Sequence, residues 1–136
     1  MNHFKEPFIV NAMREMTSFV MGAIEYIKSD QVEAMIDLLL KARREQRRIL
    51  IMGAGRSGLV GKAFAMRLMH LGYEAYVLGD TIVPRIGEGD IVIAISGSGR
   101  TKLVVTAAEA AKMVKAKVIA LTSFPDSPLA KIADHV

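Results

Sequence analysis

Four short runs constrain this chain more than anything else in it: Arg48–Met52, Ala75–Leu78, Asp90–Ile95 and Lys117–Leu121. Apolar residues fill them almost end to end, with no alternation of apolar and polar. A strand buried on both faces reads this way, whereas a strand with one wet face alternates. Between and after the runs lie stretches with helical character. These are Leu59–Leu71, Lys102–Lys115 and Pro128–Ala133, the last with Ser127 as cap and Pro128 at its first position. Gly72 stands where a C-terminal glycine belongs. Strand and helix alternate at least three times. The pattern predicts an α/β fold, a three-layer sandwich whose parallel sheet is covered by helices on both faces.

Upstream, residues 1–8 read as a poorly ordered start ending near Pro7. Ile9, Met13, Met16, Val20, Ile24 and Ile27 mark one helical face over Ile9–Lys28. Ser29-Asp30 breaks that pattern and can cap a second helix over Gln31–Gln46. These helices have little sheet of their own to cover. They form an N-terminal helical arm that packs either on a partner subunit or on the same domain. The chain reads as one domain, with helices over 1–47 and the parallel core over 48–136. Asp134-His135-Val136 looks like the opening of a fifth strand, so the last strand and a C-terminal segment are expected to lie outside these 136 residues. A frayed tail is the alternative.

Composition removes several function classes. Half the residues are hydrophobic (51%) and 24% are charged, which is a globular balance. There is no cysteine, so disulfides, thiolate nucleophiles and Cys-based zinc sites are excluded. The opening lacks a signal-peptide pattern, and no apolar run approaches the ~20 residues that span a bilayer. A cytoplasmic protein without a membrane partner is expected. The net charge is +4, part of it from Lys41, Arg43, Arg44, Arg47 and Arg48. That cluster reads as the solvated last turn of a helix. With no Trp and no aromatics among the cations, it does not read as a nucleic-acid surface. His3, His70 and His135 are scattered, so neither a metal nor another cofactor is expected.

In a parallel sheet Gly53, Gly79, Ser96 and Thr122 all fall on the edge formed by the carboxyl ends of the strands, where ligands bind at the point of order reversal. For the order 2-1-3-4-5 the reversal lies between the first and third strands. The loops there are Gly53–Gly58 and Ser96-Gly97-Ser98-Gly99-Arg100-Thr101. The second loop places three hydroxyls and two glycines where a strand hands over to a helix, a place that attracts anions. It is expected to hold a phosphate. Gly53-Ala54-Gly55-Arg56-Ser57-Gly58 also fits G-x-G-x-x-G, with Asp80 at the end of the second strand, as in dinucleotide sites. The second hydroxyl-rich loop, which a dinucleotide does not require, favours a sugar phosphate. No G-x-x-x-x-G-K-[ST] occurs. Ser57 and Thr101 also stand where caps of the following helices belong. Asp80 and Thr81 share the edge and are candidates for contacts to sugar hydroxyls.

Together, Gly53-Ala54-Gly55-Arg56-Ser57 and Ser96–Thr101 resemble the sugar isomerase (SIS) domain family. The stretches 63–72, 120–123 and 126–131 look most like its 6-phospho-3-hexuloisomerase branch. The resemblance implies a five-stranded flavodoxin-like sheet, a homodimer or homotetramer, and no metal or nucleotide. It implies interconversion of 3-hexulose 6-phosphate and fructose 6-phosphate through an enediol, in formaldehyde-assimilating ribulose monophosphate metabolism. Gly55, Arg56, Ser57, Ser96, Gly97, Ser98, Gly99, Arg100 and Thr101 are the implied substrate-binding residues. Arg100 departs from the pattern, which more often has glutamate or lysine there. The family's catalytic glutamate follows the fifth strand, beyond Val136, so the catalytic residue in this chain is unknown. A phosphosugar-sensing regulatory module, or an isomerase of arabinose 5-phosphate, are the rival readings.

Overall fold

The structure is a computed structural model that describes residues 5–136. The expectations for His3 and the opening Met1–Phe4 lie outside those residues. The chain divides into two compact units, one ending at Val32 and one spanning Glu33–Val136.

The first unit holds helix α1 (Lys5–Ala23) and a 3-10 turn (Ile24–Tyr26). Helix α1 starts four residues before the expected Ile9, with Pro7 inside its first turn, where a missing N–H costs nothing. It also stops short of Lys28. Met13, Met16, Phe19, Val20 and Ile24 are all exposed. Helix α2 (Ser29–Arg44) begins at Ser29, so the break between the helices falls at Ile27-Lys28 and Ser29-Asp30 is the first part of α2, neither the break nor a cap ahead of Gln31.

The second unit is built on strands β1 (Arg48–Gly53), β2 (Glu74–Val77), β3 (Ile91–Ile95) and β4 (Lys117–Leu121). All pair in parallel, in the order β2-β1-β3-β4. His135 bridges Ile119 in parallel on the free side of β4, which continues the expected 2-1-3-4-5 order. The continuous apolar runs are explained by two cores. Leu50, Met52, Val92, Ala94, Val118 and Ala120 face helices α4 (Lys102–Met113) and α5 (Pro128–Ile132). Ile49, Ile51, Ile91, Ile93 and Ile119 face the second half of α2 and helix α3 (Gly55–His70). Odd and even positions of one strand thus feed opposite cores.

Helix ends follow their sequence signals where the signal is local. Ser127 accepts from the Ala130 N–H (3.3 Å) and Pro128 opens α5. Gly72, at φ +84°, closes α3, with Tyr73 N–H bonding Leu68 C=O and Gly72 N–H bonding Met69 C=O. The same closure ends α2 and α4, but with Gln46 (φ 54°) and Lys115 (φ 60°) in the left-handed position. Residues 45 to 48 therefore lie beyond α2, and the basic cluster is not one helical turn.

Near the last residues, Asp134 accepts from Lys112 and from the Val118 N–H (2.8 Å). Burial raises its pKa, but the Lys112 hydrogen bond, the Val118 N–H and the charges of Lys112 and Lys117 together outweigh this and hold it below the usual value. A carboxylate lowered on folding stabilises above its unfolded pKa and loses that contribution as pH falls through the folded one. Stability should therefore drop below about pH 4, and Asp134→Asn should flatten that limb in an acid titration followed by circular dichroism. The pair keeps partial solvent access, so the contribution is under about 1 kcal/mol.

Candidate functional site

Gly53 and Ile95 are register partners at the ends of β1 and β3. The two glycine-rich loops therefore leave the sheet side by side, about 5 Å apart, where the strand order reverses. After β1 the chain turns at once into α3. A methyl on Gly53 would stand 2.8 Å from the Ser57 carbonyl carbon, and one on Gly58 2.8 Å from the Gly53 oxygen. Gly55 takes φ +55°. The G-x-G-x-x-G spacing is thus a requirement of a turn in which backbone lies against backbone. Helix α3 starts four residues earlier than expected. Ser57 is consequently in its first turn and is not its cap, and Ala54 at the cap position offers no side-chain acceptor.

The second loop is tied from within and from behind. Ser96, 2% exposed, accepts from the Gly99 N–H through its hydroxyl (3.1 Å) and shares a 2.8 Å hydrogen bond with the Thr101 hydroxyl. Thr101 occupies the N-cap position of α4, yet its hydroxyl makes no capping bond. The capping role expected of Ser57 and Thr101 is therefore absent, because one sits inside the helix and the other is turned to Ser96. Both helix starts keep first-turn N–H groups without a side-chain cap, and both face the crevice edge. Gly55 and Gly97 border open space: a methyl on either would meet no atom within 4 Å.

The segment after β4 holds the second loop in place. Ser123 N–H (3.1 Å) and the Thr122 hydroxyl (3.2 Å) both donate to Gly97 C=O. Leu129 N–H donates to Gly99 C=O (3.0 Å). Gly99, at φ +63°, lies directly against the fully buried Ser127. These braces escaped sequence reasoning. Thr122 is 25 residues from Gly97 and Ser127 is 28 residues from Gly99, and no local pattern announces either contact.

The remaining candidates are more open. Ser98, exposed, accepts from the Arg100 N–H (3.2 Å). Arg56 and Arg100 are exposed and form no ion pair among the described residues. Asp80 and Thr81 follow β2 on the same edge, on the far side of β1 from the Ser96 loop. Asp80 approaches Lys62 of α3 at 3.8 Å, a pairing that no local pattern announces. The crevice thus offers glycine backbone, helix N-termini, hydroxyls and two unpaired arginines, the equipment of an anion site. Among the described residues no three His, Asp or Glu side chains gather as they would around a metal, and no helix is long and apolar enough to cross a membrane.

Comparison with known proteins agrees with this architecture. The SIS domain model matches residues 44–136, and the chain belongs to the SIS domain family. A relative from Aeropyrum pernix, an uncharacterized protein, is 56% identical over 128 residues, covering 94% of this chain and 60% of its own. A Bacillus subtilis relative named 3-hexulose-6-phosphate isomerase is 40% identical over 122 residues, covering 90% of this chain and 64% of its own. This chain therefore spans less than two thirds of either relative. A solved structure from Methanococcus jannaschii, described as inferring a 3-hexulose-6-phosphate isomerase function, superposes with TM-score 0.72 at 38% identity. It covers 82% of this chain and 62% of its own.

Proposed function

We propose that residues 1–136 carry the phosphosugar-binding part of a sugar-phosphate isomerase that interconverts 3-hexulose 6-phosphate and fructose 6-phosphate. The observation that supports this best is the Gly53–Ile95 pairing, which launches two uncapped helix starts into one crevice. On this reading Ser98, Thr101, Gly97 and the start of α4 hold the phosphate. Gly55, Arg56 and Ser57 line the sugar, and Asp80 and Thr81 reach its hydroxyls. Ser96 and Gly99 shape the loop and act through it. Arg100 adds positive charge at the rim.

Moving a carbonyl from C3 to C2 takes a proton from C2 and returns one at C3, through an enediol. Phosphate binding fixes the sugar so that this transfer is intramolecular in effect. Helix N-termini and Arg56 offset the negative charge that develops on the enediolate oxygens. The transfer also needs a base tuned near working pH. No residue of this chain is assigned that role, and the base is proposed to follow Val136. The same reading places the protein in the cytoplasm, in ribulose monophosphate metabolism. It also makes the protein a homodimer or homotetramer, with the exposed apolar residues of α1 as the face that associates.

The test is Ser98→Ala combined with Thr101→Val. Calorimetry with fructose 6-phosphate should show at least about tenfold weaker binding, since two hydroxyl contacts to a charged group are removed. Folding should lose only about 1 kcal/mol, for the Ser96–Thr101 hydroxyl pair. Unchanged affinity sinks the assignment of this loop to phosphate.

A further inference from the structure

The edge of the sheet opposite the crevice carries a second polar cavity. It has a volume of about 500 Å³ and lies among Arg47, Arg48, Arg85, Glu74, Glu88 and Asp90. That volume is within the usual range for small-molecule sites. Arg48 and Glu74 are the first residues of β1 and β2, and Asp90 directly precedes β3. The cavity is therefore roughly 16 Å, the length of β1, from the Gly53 turn.

Two of its arginines are held by backbone carbonyls. Arg48 donates from Nη1 to Arg85 C=O (2.8 Å), and Arg47 donates from Nη1 to Glu88 C=O (3.3 Å). The Arg47 guanidinium lies against Gly89, where a methyl would stand 3.0 Å from Cζ. Arg47 also approaches Glu45 at 3.5 Å, but neither Arg48 nor Arg85 forms an ion pair among the described residues. The Asp90 carboxylate, 7% exposed, is already occupied by the N–H groups of Arg48 and Gly87, both at 2.9 Å. The anchored guanidinium of Arg48 and the exposed one of Arg85, both without an ion pair, thus line a cavity that also offers the Glu74 and Glu88 carboxylates, which form no ion pair among the described residues either.

This mixture has a specific chemistry. Guanidinium forks match the oxygens of a phosphate bidentately, and carboxylates accept from hydroxyl groups. A bare polyanion would be opposed by the glutamates, whereas a phosphorylated polyol uses both kinds of group. We propose that this cavity is a second binding site, separate from the crevice, for a small phosphorylated polyol. Residues 78–90, which have no regular secondary structure, run from Asp80 and Thr81 at the crevice edge to Arg85 and Glu88 at this cavity. The same stretch of chain thus borders both places.

The experiment is calorimetry with sorbitol 6-phosphate, a phosphorylated polyol without a carbonyl to isomerise. The expected result is two equivalents per wild-type chain and one per Ser98→Ala/Thr101→Val chain. Arg48→Gln/Arg85→Gln should remove one equivalent from the wild type and weaken the remaining one of the Ser98/Thr101 variant at least about tenfold. Both arginine side chains are at the surface, and the Arg48 N–H bond to Asp90 does not depend on its side chain, so unaltered circular dichroism is expected. Lys41→Gln/Arg44→Gln removes the same charge outside the cavity and should leave both equivalents in place. A stoichiometry that Arg48→Gln/Arg85→Gln does not alter overturns the proposal, and so does an equal loss from the Lys41/Arg44 pair. Failure of the crevice assignment shows separately, as a Ser98/Thr101 variant that binds like the wild type.

Discussion

Gly99→Ala should weaken phosphosugar binding by roughly 100-fold while leaving the parallel sheet folded. Two independent constraints meet at this residue. Its φ of +63° is a left-handed conformation that a side chain disfavours. In addition, a methyl there would collide with Ser127 Oγ and Cβ and would stand 2.9 Å from Thr122 Oγ1. Ser127 cannot give way. It is fully buried, and its hydroxyl accepts from Ala130 N–H at the start of α5. The Ser96–Thr101 loop must move instead, breaking the Gly99 N–H bond to Ser96 and the Leu129 N–H bond to Gly99. A displacement of about 1 Å in a positioned site costs on the order of 100-fold. The strands end before the loop, so far-ultraviolet circular dichroism should keep its shape. Gly97→Ala is the comparison, because a methyl there meets no protein atom. Any loss of affinity in that variant reports contact with ligand and not a displaced loop. Calorimetry with fructose 6-phosphate measures both, and a Gly99→Ala protein binding as tightly as the wild type would falsify the braced-loop account.

The same residue shows where sequence stops informing. Gly99 is visible in the sequence as one of two glycines in a hydroxyl-rich loop, and its place after a buried strand follows from the run Ile91–Ile95. That Ser127 stands behind it follows from neither, because the contact depends on how α5 returns to the sheet. Ser96 is a similar case. By type and position it resembled a phosphate donor, yet its burial and its bonds to Gly99 and Thr101 make it the loop's internal brace. The early start of α3 has another origin. The apolar periodicity begins at Leu59, but Gly53 and Gly58 let the backbone close four residues sooner than side chains can signal. What the sequence carried well was whatever depends on neighbours in the chain. Apolar runs became strands, Ser127-Pro128 became a helix start, and two glycine-rich turns fell on one edge because all strands are parallel. The basic residues 41–48 mark the opposite limit. Helical reasoning placed them on one turn, whereas Arg43 lies 5.6 Å from the Tyr73 ring and Arg48 opens β1 beside Arg85.

Ile93→Ala should destabilise the fold by about 3 kcal/mol, within the ~2–5 kcal/mol typical of deleting most of a buried isoleucine. Ile51, Ile93 and Ile119 are register partners across β1, β3 and β4, and are 0%, 0% and 2% exposed. They form a row on the face that α3 covers. The helix lies close there, since a methyl on Gly61 would stand 3.0 Å from Ile51 Cγ2. A cavity at the middle of this row has β-strands on both sides and a helix above, none of which can collapse into it without shifting the others. That rigidity argues against the low end of the range. Against a total stability of about 5–15 kcal/mol, the loss is a large fraction. Ile93→Val, removing one methylene, should cost only about 1 kcal/mol. Urea denaturation at neutral pH measures both, and a loss below about 1 kcal/mol for Ile93→Ala means that the row is looser than its burial indicates. The row is two residues below the Gly53–Ile95 pair that sets the spacing of the crevice loops. Binding per folded molecule should consequently persist in Ile93→Ala at low temperature and vanish with the unfolding transition, whereas Gly99→Ala loses binding with the sheet intact. The contrast between the two variants separates what holds the sheet together from what shapes its edge.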